Sequence, residues 1–441
     1  MEETTGGPAV GPPGGRGGDP TRRGVLKAAA AAAALPILTT ACGGTGEGTL
    51  TFVYMGDANQ QAQFRALFTE FNKVNPNIRL VAQAIPAGNW AVFANTVATR
   101  IAGGYVPDII QVATEGQRIF ASKGLLEPLD PYIKADQKIV DDYFADIDPN
   151  LIDWNTRYAS HDGRTYYMPG GYNTVVLYAN TEVFARAGVE LPEDGKWTWD
   201  EFRAAGERVK AATGAFLVPT DLSYFGGIMP WLATNGASTF DATWRRPTFD
   251  SPEAIEAVTF VKGLIDAGLA PKPGGQFDAA TALAQGKLAT LNGGRWPVID
   301  LRRLGIVGKT LVVSFPTRRT DGSPVGWDGW PITRDSKNKQ EAWTFIKFLI
   351  SKQAATFFAS IGGTIVPARR SVAEGPAFTG NASERSERLA EAISYATPIP
   401  SPDRGPEAQK IIEEAWLKVL SGNGEPAATL AEANRQLGGL L

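Results

Sequence analysis

From residue 49 onward the apolar positions follow two rhythms in turn. Residues 49–54 alternate and are rich in β-formers, which predicts a strand. Phe64, Leu67, Phe68, Phe71 and Val74 then recur at helical spacing. A second strand is expected over 78–82. A second helix is marked by Trp90, Phe93, Val97 and Ile101 and closed by Gly103-Gly104. A third strand is expected over 106–112. Two βαβ units in succession imply parallel strands joined by right-handed crossovers.

Further on, 167–178 is another apolar stretch. Thr198-Trp199-Asp200-Glu201 has the form of a capping box, with the Thr hydroxyl and the Glu carboxylate each satisfying a free N–H, and opens a helix through residue 210. A helix over 251–267 and strands over 288–291 and 310–313 follow. One long helix is expected over 340–358, with Trp343, Ile346, Leu349 and Ile350 along one side, and a last helix over 407–420. No fixed-period repeat is visible, and the alternation of strands and helices argues an α/β architecture.

The first 48 residues have a different character. Residues 1–20 are rich in Gly and Pro, and Thr21-Arg22-Arg23-Gly24-Val25-Leu26-Lys27 resembles a twin-arginine export signal. Seven alanines (28–34) and Leu35-Pro36-Ile37-Leu38 follow. That run is shorter than the roughly 20 residues a membrane span needs, and behind a basic segment it reads as a signal peptide. Leu38-Thr39-Thr40-Ala41-Cys42 resembles a lipoprotein cleavage box. Residues 1–41 are thus expected to be removed, with Cys42 acylated and 42–48 left as a tether. More than one acyl chain gives stable membrane anchoring.

Composition narrows the function classes. Lys and Arg number 43 against 46 Asp and Glu, a net charge of −3, so no basic stripe speaks for nucleic acid. The length of 441 residues allows two domains. Cys42 and His161 are the only residues of their kinds. No intrachain disulfide and no His/Cys metal cluster can be built from them. Neither a Gly-x-Ser-x-Gly elbow nor a phosphate-binding loop is present, and no local motif picks out a pair of carboxylates for glycoside cleavage. No cofactor is expected, and the chain reads as a binding protein rather than an enzyme.

Several segments resemble the family 1 extracellular solute-binding proteins, which include maltose-binding members. They are FRALFTEFNKVNP at 64–76, IAGGYVPDII at 101–110, GLLEPL at 124–129, Tyr178-Ala179-Asn180 with FARAG at 184–188, and TWDEF at 198–202. FVKGLI at 260–265, GKLAT at 286–290, SKNKQEAW at 336–343 and VPAR at 366–369 follow in the family's order. The resemblance implies a type II periplasmic-binding-protein fold, two α/β lobes around a hinged ligand cleft. The first lobe is expected at 49–172 and 328–364, the second at 173–327 and 365–441. It also implies a carbohydrate ligand, the transmembrane subunits of an ABC permease as partners, a monomeric state and a place outside the cytoplasm. A polyol or glycerol phosphate as ligand, a sensor role, or an anchored carbohydrate-active enzyme remain open.

In open α/β sheets ligands sit at the carboxyl ends of strands, and a sugar needs acids or amides for its hydroxyl rim and flat aromatics for its C–H faces. Asp57 and Gln60 follow the first strand and either cap the next helix or face the ligand. Thr114 and Glu115 follow the third strand, and Glu115 falls where maltose-binding members have a carboxylate gripping sugar hydroxyls. Tyr172 and Asn173 lie where the chain is expected first to cross between lobes. Asn173 is an amide where the maltose binders have an acid. Asn292-Gly293-Gly294-Arg295-Trp296 aligns with the family's loop bearing a stacking Trp, and Trp231 is a further aromatic candidate. Gly326-Trp327-Asp328-Gly329-Trp330 forms a Gly-rich turn at the return crossing. For each of these Trp residues, core packing competes with ligand stacking.

Overall fold

The computed structural model describes residues 49–441 apart from Asp57 and Asn381. The segment expected to direct export and anchoring, with Cys42, and the candidate ligand residue Asp57 lie outside the described residues.

β1 (Thr49–Met55) runs parallel to β2 (Arg79–Ile85) on one side and β3 (Ile109–Ile110) on the other, as successive βαβ units require. The short strand Ile332–Thr333 extends this sheet antiparallel to β3 and to β5 (Leu126–Glu127). Helix Ala58–Val74 buries Phe64, Leu67, Phe68 and Phe71, the residues whose spacing predicted it. Phe345 of helix Lys339–Leu349 meets Phe71 edge-on at 4.9 Å and Phe52 of β1 at 5.5 Å. Such pairs add about 0.5–1.5 kcal/mol beyond burial alone. Asp108, buried at the start of β3, accepts from Thr51 N and Oγ1 (2.8 and 2.7 Å), Ser336 Oγ (2.6 Å) and Asn338 Nδ2 (3.2 Å). It joins the first strand to the returning chain.

The strand expected over 106–112 is two strands. β3 stays in the first sheet, and β4 (Val112–Ala113) pairs antiparallel with a strand of a second sheet. Gln111 sits at the step: its N–H reaches Val53 O (2.8 Å) in the first sheet, and its Nε2 donates to Asp328 (2.9 Å) in the second. The stretch 167–178 also divides, into β6 (Met168–Thr174) and β7 (Val176–Asn180). β7 lies between β8 (Thr290–Gly293) and β9 (Thr310–Val313) in a third, antiparallel sheet. β10 (Ser323–Trp330) pairs antiparallel with β6, setting Trp327 opposite Tyr172 and Gly326 opposite Asn173, with a register shift between Asp328 and Gly329. A Cβ added at Gly171 would lie 2.8 Å from the Val366 carbonyl, so only glycine passes there.

The helix expected over 340–358 is also two, Lys339–Leu349 and Lys352–Ser360, because Ser351 turns its hydroxyl to Ala354 N (3.1 Å) and starts a new one. The capping box at Thr198 and Glu201 forms as expected. The helix Gly405–Leu420 is followed by another, Pro426–Gly438, which apolar spacing had not revealed.

Asp328 lies in the middle of this framework, 4% exposed. Burial pushes its carboxyl up to about 7, against the pull of hydrogen bonds from Gln111 and the backbone. A folded pKa above the unfolded value means the fold holds a proton the unfolded chain has released. The associated stability is full below the ordinary Asp range and is lost as pH rises through about 7. Asp328→Asn should therefore gain about 2 kcal/mol on wild type between about pH 5 and 7, at roughly 1.4 kcal/mol per unit. Denaturant melts at the two pH values check this. A constant difference would mean Asp328 is already ionised in the fold.

Candidate functional site

Two recesses lie near the expected ligand residues. The smaller, about 60 Å³, is lined by Gln60, Trp90, Gln111, Gly170, Trp330 and Thr364 among others. Gln60 comes from the first turn of helix Ala58–Val74, and Trp90 opens helix Trp90–Ala102 just after β2. Both therefore stand beyond the carboxyl ends of parallel strands. Gln111 Oε1 and Trp330 Nε1 are buried and have no partner within the protein.

The larger recess is a groove of about 440 Å³ lined by Asp221, Phe277, Asn292, Trp296 and Asp300 with apolar neighbours. Trp296 follows β8 and remains 37% exposed, with the Phe225 ring 5.9 Å from its own. Asn292, in β8 and 8% exposed, donates through Nδ2 to Asp221 (2.9 Å) and to Gly226 O (2.7 Å), while its Oδ1 has no partner.

Asn173 connects the two recesses. Its Oδ1 accepts from Arg295 N (2.8 Å), beside Trp296, and its Nδ2 donates to the carbonyl of Thr364 (3.1 Å), which lines the smaller recess. Arg295 points inward, 1% exposed. Its guanidinium lies 4.3 Å from the Phe378 ring centre, with Nη2 on Phe378 O (2.8 Å). Burial lowers its pKa to about 10.

Glu115 lies in the first turn of helix Thr114–Ser122. Burial raises its carboxyl to about 7; its own backbone N–H opposes this, and the charge of Glu413 adds to it. Glu413 projects from helix Gly405–Leu420 and accepts from Tyr224 N (2.9 Å) and Gln409 Nε2 (2.8 Å).

The remaining candidates are held by the protein itself. Thr114 Oγ1 accepts from Trp327 N (2.8 Å) and donates to Trp327 O (3.1 Å). Trp327 is 1% exposed and stacks on Trp154 at 6.3 Å. Tyr172, opposite it, is buried and donates to Ala390 O (3.4 Å). Trp231 is enclosed by Trp199, Phe260 and Phe315, the last at 4.6 Å. The structure thus gathers Gln60, Asn292, Trp296 and Trp330 along the recesses, sets Asn173, Glu115, Arg295 and Asp328 outside both linings, and puts Thr114, Tyr172, Trp231 and Trp327 into packing.

The profile of the bacterial extracellular solute-binding proteins matches residues 57–356. The chain belongs to this family. A putative binding protein of Brucella abortus (strain 2308) is 26% identical over 395 residues, 86% of this chain and 89% of the relative. An ABC substrate-binding protein from Listeria monocytogenes, solved in complex with cycloalternan, superposes with a TM-score of 0.77 at 22% identity, covering 89% of this chain and 99% of that one. A maltose-bound T. maritima protein superposes at 0.76 and 19% identity, covering 89% and 100%. Both show the same mixed α/β fold.

In this solute-binding protein, sequence reasoning missed Trp90, Gln111, Asp221, Phe225 and Glu413. The strand-end rule could have found Trp90, since it follows β2 as Gln60 follows β1. Glu413 has no local signal, being one acid among several in an amphipathic helix.

The two tryptophan classes should separate by stability. Trp231→Ala should cost about 3–5 kcal/mol, as truncation of a core aromatic does. Trp296→Ala should cost about 1 kcal/mol, as an exposed side chain does. Denaturant melts of the two variants check this, and equal losses would assign Trp296 to packing.

Proposed function

We propose that this is the extracytoplasmic binding protein of an ABC importer, taking a mono- or oligosaccharide and delivering it to a membrane permease. Lobes at 49–172 with 328–364, and 173–327 with 365–441, would close around the ligand, contacts from both favouring the closed state. The observation that carries the reading is the exposed Trp296 ring beside Asp221 and Asn292 in the groove. An indole face covers the C–H face of a sugar ring, while carboxylates and amides take its hydroxyl rim. Capture needs no bond-breaking step, in keeping with a family of binding proteins. Cycloalternan and maltose in two of the matched structures support a carbohydrate.

The export reading belongs to the same proposal. Arg22-Arg23 would direct folded export, and Cys42 would carry the lipid that holds the mature protein at the membrane. No helix among the described residues is long and apolar enough to cross a membrane.

Two experiments test these points. Glu115→Ala should weaken carbohydrate binding about ten- to a hundredfold by calorimetry, since a hydrogen bond to a charged group contributes about 1.5–3 kcal/mol. Its apo stability near neutral pH should not fall, because burial already opposes the charged Glu115 carboxylate and its removal relieves that cost. Wild-type affinity in the variant would remove Glu115 from the site. Cys42→Ser should release the protein from the membrane fraction, and a variant that still pellets with membranes would exclude the lipid anchor.

A further inference from the structure

Three acids beside the groove, Asp221, Glu413 and Glu115, act on one another in sequence, and none of them is in an ion pair among the described residues. Asp221 accepts from Ser223 N (2.8 Å) and Glu413 from Tyr224 N (2.9 Å), so both are fixed on one turn of the chain. Helix Gly405–Leu420, which carries Glu413, packs against that turn and against helix Thr114–Ser122, which carries Glu115. The charge of Asp221 adds to the burial that raises Glu413, and the charge of Glu413 adds to the burial that raises Glu115. The neighbouring cations are engaged by other acids: Arg118 by Asp403 (2.9 Å), Lys410 by Glu414 (3.8 Å) and Arg303 by Asp300 of the groove (2.9 Å). Lys272 is the only cation among the groove-lining residues, which include both Asp221 and Asp300.

Two independent features point to what belongs there. Asn292 is more than nine-tenths buried, grips Asp221 with Nδ2 and leaves Oδ1 without a donor. A buried carbonyl of this kind calls for an incoming N–H or O–H. Beside it, a Cβ at Gly226 would lie 3.0 Å from Asp221 Oδ2 and 3.7 Å from Trp296 Cζ2, so carboxylate and indole converge on one glycine. An aromatic ring next to carboxylates is a favourable seat for a cation.

We propose that the ligand is a carbohydrate carrying a protonated amine, the ammonium held by Asp221 and Glu413 with Asn292 and Trp296 beside it and Glu115 contributing field. The inference rests on the carbohydrate reading and narrows it. An ammonium offers three donors to acceptors that otherwise repel one another. A neutral sugar leaves that repulsion in place.

The test uses the purified mature protein near neutral pH, with thermal shift and calorimetry. The panel pairs neutral hexoses and cellobiose with their 2-amino and N-acetylamino counterparts. The tightest ligand should be an amine, its N-acetylated form should bind at least tenfold more weakly, and high salt should weaken the amine selectively. Asp221→Asn and Glu413→Gln should each cut the amine-to-neutral affinity ratio at least tenfold. A neutral or N-acetylated sugar binding as tightly as its amine overturns the proposal while leaving the carbohydrate reading intact. No binding anywhere in the panel sinks the carbohydrate reading and this inference with it. A ratio unchanged in both variants, each melting as wild type does, also overturns it. Should one variant fail to fold, the wild-type panel and the other variant still decide.

Discussion

The antiparallel ladder between β6 and β10 is the constraint on which the site depends. It sets Asn173 across from Gly326 and Tyr172 across from Trp327. Thr114 and Gln117 both bind the Trp327 backbone, so the helix bearing Glu115 hangs from the same ladder. β6 runs on into β7, whose partner β8 leads to Trp296. Slipping this pairing by one residue would turn every alternate side chain to the opposite face. Asn173 would then lose both Arg295 and Thr364.

The parallel start of the fold was legible because period-two and period-3.6 patterns follow one another cleanly up to Gly104. The capping box was legible because its two hydrogen bonds are local to 198–201. The split at Gln111 was not, since an apolar run looks the same whether it stays in one sheet or steps into another. Ile350 hid the helix break at Ser351 by continuing the apolar stripe across it. Among the candidate ligand residues, a Trp in a Gly-rich segment was ambiguous by nature. Trp296 stays exposed, whereas Trp327 is enclosed by its own sheet and Trp154. Only tertiary packing distinguishes those outcomes. Asp221 and Glu413, far apart in sequence, come within each other's field because helix Gly405–Leu420 lies against the Tyr224–Ile228 turn.

The recesses combine apolar walls with polar atoms that the protein does not satisfy. Gln111 Oε1, Trp330 Nε1 and Asn292 Oδ1 are all buried, and each lies on a residue lining one recess or the other. In a folded interior most such atoms find partners. Six further atoms of this kind among the described residues, on Gln117, Asn155, Arg295, Trp327, Asp328 and Trp416, lie on residues that line neither recess, but these three fit a hydroxyl-bearing guest whose own donors and acceptors would complete them.

Asn173 has a consequence for what could replace it. Its amide faces an N–H donor at one end and a carbonyl at the other, Arg295 N and Thr364 O. An aspartate has nearly the same shape but two acceptor oxygens, so one of them would meet the Thr364 carbonyl lone pairs head-on. A carboxylate here could persist only if the 364 loop moved away and gave its place to another donor, such as a sugar hydroxyl. Acid and amide at this position therefore specify two different neighbourhoods. Exchanging them is a change of architecture as much as of ligand preference.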